Sequence, residues 1–133
     1  MNKLGHEQIM KNELHIKNTN TILYCEKWQQ TMEFYRDKLK LPINHESDWF
    51  VEFKLTDTAH VSIADERKAT IKSGKGAGIT LTMQVEDITE TWHYLRNSGI
   101  HVESIKDHKW GARVFYFRDP EGHRIEVWSP EQE

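Results

Sequence analysis

The hydrophobic residues of this chain recur with the period of a strand in some segments and with the period of a helix in others. In the first half, "WFVEFKL" (49–55) and "HVSIA" (60–64) alternate between two faces, which predicts strands with one buried face. Before them, "NTILYC" (20–25) is short and β-prone and predicts a first strand. A helical stripe between the first two strands consists of Trp28, Met32, Tyr35 and Leu39. Pro42 is expected to end this helix.

The same order of elements returns in the second half. The strand "GITLTMQV" (78–85) is followed by Asp87 and Glu90, whose spacing is that of a capping box with Asp87 as the N-cap. The helical stripe after them consists of Ile88, Trp92 and Leu95. A short strand "IHVESI" (100–105) and a hairpin of two aromatic strands (109–130) are expected to complete the chain.

This repetition predicts an internal duplication of one strand–helix–three-strand unit, written βαβββ. We expect an N-terminal extension at 1–17, a first module at 18–65, a mobile charged linker at 66–78 and a second module at 79–130, all in one domain. The predicted fold class is α+β, in which the two modules form an open, curled, mixed β-sheet cup with helices on the outside. The pattern leaves open whether the modules pair within one chain or across a dimer.

The strand pattern also predicts which side chains face the inside of the cup. A five-residue connection in the C-terminal hairpin would place Tyr116 opposite Glu126 and Phe117 opposite Ile125. Parity separates Glu126 from Ile125 and Val127, so the acid points inward if the helices cover the other two residues. Burying a carboxylate is costly unless it binds something, which makes Glu126 the strongest site candidate.

Composition narrows the class of protein. The chain has 133 residues, of which 37% are hydrophobic and 29% charged, as is typical of one soluble globular domain. A formal charge of -3 argues against a nucleic-acid groove, and no apolar run approaches the ~20 residues of a membrane span. The single cysteine, Cys25, lies on the packed face of its strand, should be inert, and fits a reducing compartment, so we expect a cytoplasmic protein.

Three segments resemble the vicinal oxygen chelate superfamily of glyoxalases, bleomycin-resistance proteins and extradiol dioxygenases. "WGARVFYFRDPEGHRIEVW" (110–128) resembles the closing hairpin of the family, "TMEFYRDKLKLPI" (31–43) its first helix and the turn after it, and "VEDITETWHYLRNSGI" (85–100) its second helix. Lys40 stands where glycine is usual. The resemblance extends from about residue 17 to residue 130. It implies paired βαβββ modules in an open cup, usually completed in a homodimer.

Metal-dependent members of this superfamily hold one divalent ion with His and Glu side chains on inward strands. The resemblance puts those four places at Asn20, Ser62, Thr80 and Glu126, and only Glu126 carries a strong donor. The chain therefore resembles most the metal-free bleomycin-resistance branch, and no cofactor is expected. If a divalent metal is bound, His60 is the candidate to join Glu126 as a ligand.

Residue type and parity indicate the other candidates. Trp110, Tyr116, Phe50 and Tyr24 are candidate pocket walls, with plain packing as the alternative, and Arg113 would hold an anionic group or tie down its loop. The complete set of predicted ligand-binding residues is Glu126, Tyr116, Trp110, Arg113, His60, Phe50, Tyr24, Thr80, Ser62 and Asn20.

The leading hypothesis is a small-molecule binding protein that sequesters an aromatic or partly cationic compound without metal. One alternative is a metal-dependent lyase, isomerase or dioxygenase that uses Glu126 and non-standard ligands, and a metal-free enzyme with Glu126 as general base stays open beside it. Another is a module whose main role is assembly with a protein. Whether the chain is an enzyme, and the identity of its ligand, are not determined by the sequence.

Overall fold

The computed structural model describes residues 13–131, which form two βαβββ modules in succession. The first consists of β1 (Thr19–Cys25), α1 (Trp28–Glu33) continued by a π-helical turn (Phe34–Lys38), β2 (Ile43–Glu46), β3 (Phe50–Lys54) and β4 (Ala59–Asp65). The second consists of β5 (Thr80–Gln84), α2 (Ile88–Asn97), β6 (Lys106–His108), β7 (Ala112–Arg118) and β8 (Arg124–Pro130). Residues 1–12 of the predicted N-terminal extension lie outside the described residues.

Each module forms its own four-stranded mixed sheet. The strand orders are β1-β4-β3-β2 and β5-β8-β7-β6, and in each sheet the module's first and last strands pair in parallel. The predicted α+β class and the paired βαβββ modules are therefore confirmed. The hydrogen-bonded ladders form two separate open sheets rather than a single curled one.

The predicted alternation places one face of each sheet against the helices. The buried hydrophobic residues on this face of the strands are Leu23, Cys25, Val51, Phe53, Val61, Ile63, Phe115, Phe117, Ile125 and Val127. The helix residues that close over them include Met32, Tyr35, Ile88 and Leu95. Burial, together with the Glu121 and Asp119 carboxylates, raises the pKa of the Cys25 thiol, which agrees with the expectation that this cysteine is inert. None of the helices in the described part of the chain is long and apolar enough to cross a membrane.

Two short strands differ from the sequence-based prediction. Strand β2 (Ile43–Glu46) was not predicted. All its residues are exposed at a sheet edge, so no buried face imposes an alternation of apolar and polar residues. The prediction of a strand at 100–105 is wrong. This segment is irregular, and β6 follows it at Lys106–His108. A backbone hydrogen bond of 3.0 Å from Glu103 N–H to the Tyr116 carbonyl still holds the segment beside β7.

The sequence predicts that the linker at 66–78 is mobile, but in the structure it packs against the rest of the chain. It begins with one turn of 3₁₀ helix, and the Ser73 hydroxyl then donates a hydrogen bond to the Glu121 carboxylate. Gly76 is buried so closely against the backbone of Gly122 that a Cβ at this position would clash with it. The linker is thus fastened to the turn between β7 and β8.

Candidate functional site

The C-terminal hairpin has the register that the sequence predicts. Tyr116 pairs with Glu126, Phe117 pairs with Ile125, and Thr82 of β5 lies on the other side of Glu126. Phe117 and Ile125 are buried under the helices, whereas Tyr116 and Glu126 are half-buried on the opposite side. We call this side the open face of the second sheet. Its side chains include Thr80, Thr82, Gln84, Ala112, Val114, Tyr116, Arg118, Arg124, Glu126 and Trp128, of which Ala112 and Val114 are buried.

Glu126 is hydrogen-bonded but retains acceptor capacity. Its Oε2 accepts a hydrogen bond of 3.0 Å from the Tyr116 hydroxyl. Burial, followed by this hydrogen bond, raises the pKa of Tyr116, so the hydroxyl keeps its proton and donates at neutral pH. The other oxygen, Oε1, makes no hydrogen bond to any described residue and can accept one from a ligand.

Arg124 lies beside this pair on the same face. Its guanidinium carbon is 4.7 Å from the centroid of the Tyr116 ring, and its Nε donates a hydrogen bond of 3.0 Å to Thr80 Oγ1. These two contacts orient an exposed side chain over the sheet, because a cation is attracted to the face of an aromatic ring. Arg124 was not predicted as a site residue, although its parity with Glu126 could have indicated it.

An aromatic shelf lies at the other end of the open face. We use this name for His108, Trp110 and Trp128, whose rings contact one another in a row. The ring centroids are 5.7 Å apart for Trp110 and Trp128 and 5.9 Å apart for His108 and Trp110. Trp110 is 63% exposed, so the shelf offers ring surface to solvent. Trp110 was predicted, and Trp128 was missed although it shares parity with Glu126.

The remaining candidates lie on the corresponding open face of the first sheet. Ser62 Oγ donates a hydrogen bond of 2.8 Å to Asn20 Oδ1. His60 is buried, with Nδ1 3.1 Å from the Thr19 carbonyl and Nε2 3.9 Å from Glu52 Oε2. Two further candidates on this face, Tyr24 and Phe50, are half-buried.

The predicted residues therefore form two groups rather than one. Asn20, Tyr24, Phe50, His60 and Ser62 belong to the first sheet, and Thr80, Trp110, Tyr116 and Glu126 to the second. Within the described part of the chain, no hydrogen bond or ion pair joins a side chain of one group to a side chain of the other.

Arg113, for which the sequence predicts either an anion-binding or a loop-fastening role, belongs to neither group. It follows the strict parity of β7 and lies on the helix side with Phe115 and Phe117. Its Nη1 is 3.4 Å from Thr89 Oγ1 in α2, and its Nε is 3.5 Å from Asp107 Oδ1. It also lines a groove of about 340 Å³ near the start of α2, on the far side of the sheet from Glu126.

The four family positions do not fit a divalent metal. The oxygens of Asn20 and Thr80 already accept hydrogen bonds, and the donor to Thr80 is the positively charged Arg124, which would repel a cation. Glu126 supplies a single carboxylate, whereas transition-metal sites need several His, Cys or carboxylate donors. Among the described residues there is no group of three or more His, Cys, Asp or Glu side chains that could hold an ion.

Comparison with known proteins identifies the class of protein. Residues 18–131 match the model of the glyoxalase-like domain family, so the chain belongs to that family. A relative in Bacillus subtilis (strain 168), the uncharacterized protein YraH, is 29% identical, and the match covers 77% of this chain and 89% of YraH.

Solved structures with the same fold are more distant in sequence. Lactoylglutathione lyase from Agrobacterium tumefaciens is 21% identical with a TM-score of 0.69, over 84% of this chain and 91% of the lyase. The antibiotic binding protein TnmS3 from Streptomyces sp. CB03234 is 17% identical with a TM-score of 0.67, over 88% of this chain and 96% of TnmS3. At these identities the likeness shows the fold alone, which the lyase and the binding protein share.

Proposed function

We propose that this chain is a metal-free binding protein for an aromatic small molecule, which it holds on the open face of the second sheet. The observation that carries the proposal is the exposed aromatic shelf next to the Tyr116–Glu126 pair. Aromatic rings in contact are worth about 0.5–1.5 kcal/mol beyond the area that they bury, so Trp110 and Trp128 would favour a flat ligand. TnmS3, an antibiotic binding protein, has the same fold and is consistent with this role.

The polar groups beside the shelf would orient the ligand. The free Oε1 of Glu126 would accept a hydrogen bond from a donor on the ligand, and a positively charged donor would be favoured most. The misfit of the four family positions to a metal argues against a metal-dependent lyase, isomerase or dioxygenase, because those chemistries need the ion.

We also propose that a second copy of the chain completes the site. Small-molecule sites usually bury about 70–90% of the ligand, which one open sheet face cannot do. Apolar side chains of these faces stay exposed in a single chain: Ile22 of the first sheet is 38% exposed and Trp110 of the shelf 63%. A homodimer that covers these residues would enclose both the shelf and the ligand.

The test is a screen of matched neutral and cationic aromatic compounds by thermal shift and calorimetry. Trp110→Ala should weaken a confirmed ligand about tenfold or more, because it removes the exposed ring of the shelf. Glu126→Gln should weaken cationic ligands more than neutral ones. Tyr94→Ala is the matched control, since Tyr94 is an exposed aromatic residue on α2, which packs on the helix side of the sheet.

Removal of divalent metal with a chelator should leave the binding unchanged. Stoichiometric metal in the purified protein that is lost in Glu126→Gln would contradict the metal-free proposal. If wild type, Trp110→Ala and Glu126→Gln bind the ligand equally well, the proposed location of the binding site is wrong.

A further inference from the structure

The chemistry of the open face is ordered along one strand. Arg124, Glu126 and Trp128 are alternate residues of β8, so their side chains lie on one face at intervals of about 6.6 Å. A cation, an acid and an aromatic ring therefore follow one another over about 13 Å. A ligand lying along β8 would meet these three groups in that order.

The basic end of this row holds two arginines, Arg118 and Arg124. Arg118 of β7 is directly opposite Arg124 of β8, and like charges in such a pair repel each other. Neither arginine makes an ion pair with an acidic side chain of the described residues. Arg118 uses Nη1 for a hydrogen bond of 2.8 Å to the Gly122 carbonyl, and Arg124 uses Nε for Thr80.

Each guanidinium keeps further N–H groups that have no hydrogen-bond partner among the described residues, and both side chains are exposed. A guanidinium presents up to five donors in a planar fork, which matches a carboxylate or phosphate group. An anion between Arg118 and Arg124 would use these donors and relieve the repulsion between the two charges. The cation–π contact with Tyr116 already holds Arg124 over the sheet.

We infer that the ligand is an elongated aromatic anion with a hydrogen-bond donor between its ring and its acid group. The ring lies on the aromatic shelf, the donor reaches Glu126, and a terminal carboxylate or phosphate lies between Arg118 and Arg124. This inference rests on the proposed function and narrows its ligand to a compound that carries an anion at the end remote from the ring. A tripeptide with an N-terminal aromatic residue has this order of groups, and its extended length is about 10 Å.

The probe is the peptide Phe-Gly-Gly, compared with its C-terminal amide and with its N-acetyl form by calorimetry at low salt. In wild type, the acid should bind at least tenfold more tightly than the amide, because only the acid carries the anion. Arg124→Gln should remove most of this preference by weakening the acid far more than the amide, and Arg124→Lys should retain part of it. The N-acetyl form should bind more weakly than the free amine in wild type but not in Glu126→Gln.

Arg96→Gln is the matched control, because Arg96 also lies over an aromatic ring, 5.2 Å from the Trp92 centroid, but on α2. It should leave the preference for the acid unchanged. Equal binding of acid and amide by wild type, or equal weakening of both by Arg124→Gln, would overturn the inference while the aromatic site stands. Failure of Phe-Gly-Gly to bind, when neutral aromatic compounds of the screen do bind, would overturn it as well. If no aromatic compound binds, the proposed function itself fails and the inference fails with it.

Discussion

At the scale of single residues, a buried polar cluster at the β7–β8 turn joins the two modules. The Tyr35 hydroxyl and His123 Nδ1 both donate to Asp119 Oδ2, each at 2.8 Å, and Asp119 Oδ1 accepts from three backbone N–H groups of its own turn. The side chains of Tyr35, Asp119 and His123 are all buried. Burial and the Asp119 carboxylate together raise the pKa of Tyr35 well above its ordinary value of 10.0.

Tyr35→Phe should lower the free energy of unfolding by about 1.5–3 kcal/mol at neutral pH, because it removes a hydrogen bond to a buried charge. In wild type, the unfolded chain loses the tyrosine proton near pH 10 while the folded chain keeps it. The folded state then binds more protons, so stability should fall as pH rises above about 10. The fall should be shallower in Tyr35→Phe. Urea denaturation between neutral pH and about pH 11 measures both effects.

Tyr94→Phe is the control for this prediction, because Tyr94 is exposed on α2. It should change neither the stability at neutral pH nor its dependence on alkaline pH. An identical alkaline slope for wild type and Tyr35→Phe would contradict the role given to the Tyr35–Asp119 hydrogen bond.

At the scale of elements, the first helix ends in an unusual way. The π-helical turn is closed by a hydrogen bond of 3.0 Å from Leu39 N–H to the Phe34 carbonyl, and Lys40 then adopts a left-handed conformation with φ of 55°. A non-glycine residue pays about 1–2 kcal/mol in this conformation. Glycine avoids this strain but costs about 0.5–1 kcal/mol in conformational entropy.

Lys40→Gly should therefore stabilise the chain by about 0.5–1 kcal/mol, since the strain that it removes exceeds the entropy that it adds. Lys38→Gly is the paired control. Lys38 belongs to the π-helical turn itself, so glycine there should destabilise the chain by about 1 kcal/mol. Thermal unfolding of the two variants measures the difference, and a Lys40→Gly variant less stable than wild type would refute the strain at this position.

At the scale of the whole molecule, the β7–β8 turn is the main polar contact between the modules. Besides the Asp119 cluster, both oxygens of Glu121 accept hydrogen bonds of 2.8 Å from the backbone N–H groups of Glu26 and Lys27 at the start of α1. A carboxylate in this place complements the partial positive charge of a helix N-terminus. The helix sides of the two modules are thus fastened together, while Ile22 and Trp110 on the open-face side remain exposed in the single chain.

The proposed homodimer should cover these open faces. Ile22→Lys places a charge on the open face of the first sheet and should weaken the dimer at least tenfold, because a buried unpaired charge is costly. Ile71→Lys is the control, since Ile71 is 55% exposed on the linker. Sedimentation over a range of concentrations measures both. A wild-type chain that stays monomeric at every concentration would contradict the dimer.

Features that depend on neighbouring residues were predictable from the sequence. Alternation placed Ile125 and Val127 in the core and Glu126 on the other face, and the length of the turn set the pairing of Tyr116 with Glu126. The Asp87 cap was predicted from its spacing to Glu90, and its side chain accepts a hydrogen bond of 3.0 Å from the Glu90 N–H. Strand β2 was missed because an exposed edge strand imposes no hydrophobic period.

The sequence by itself therefore determined the α+β class, the two βαβββ modules, the faces of the strands and the position of Glu126, because side-chain parity and turn length are local properties of the chain. Only the tertiary structure decided that Trp110 meets Trp128 and that Tyr35 reaches Asp119 across 84 positions. It also separated the candidate residues into the faces of two sheets. Such contacts depend on how packed elements lie against one another, which no local pattern specifies.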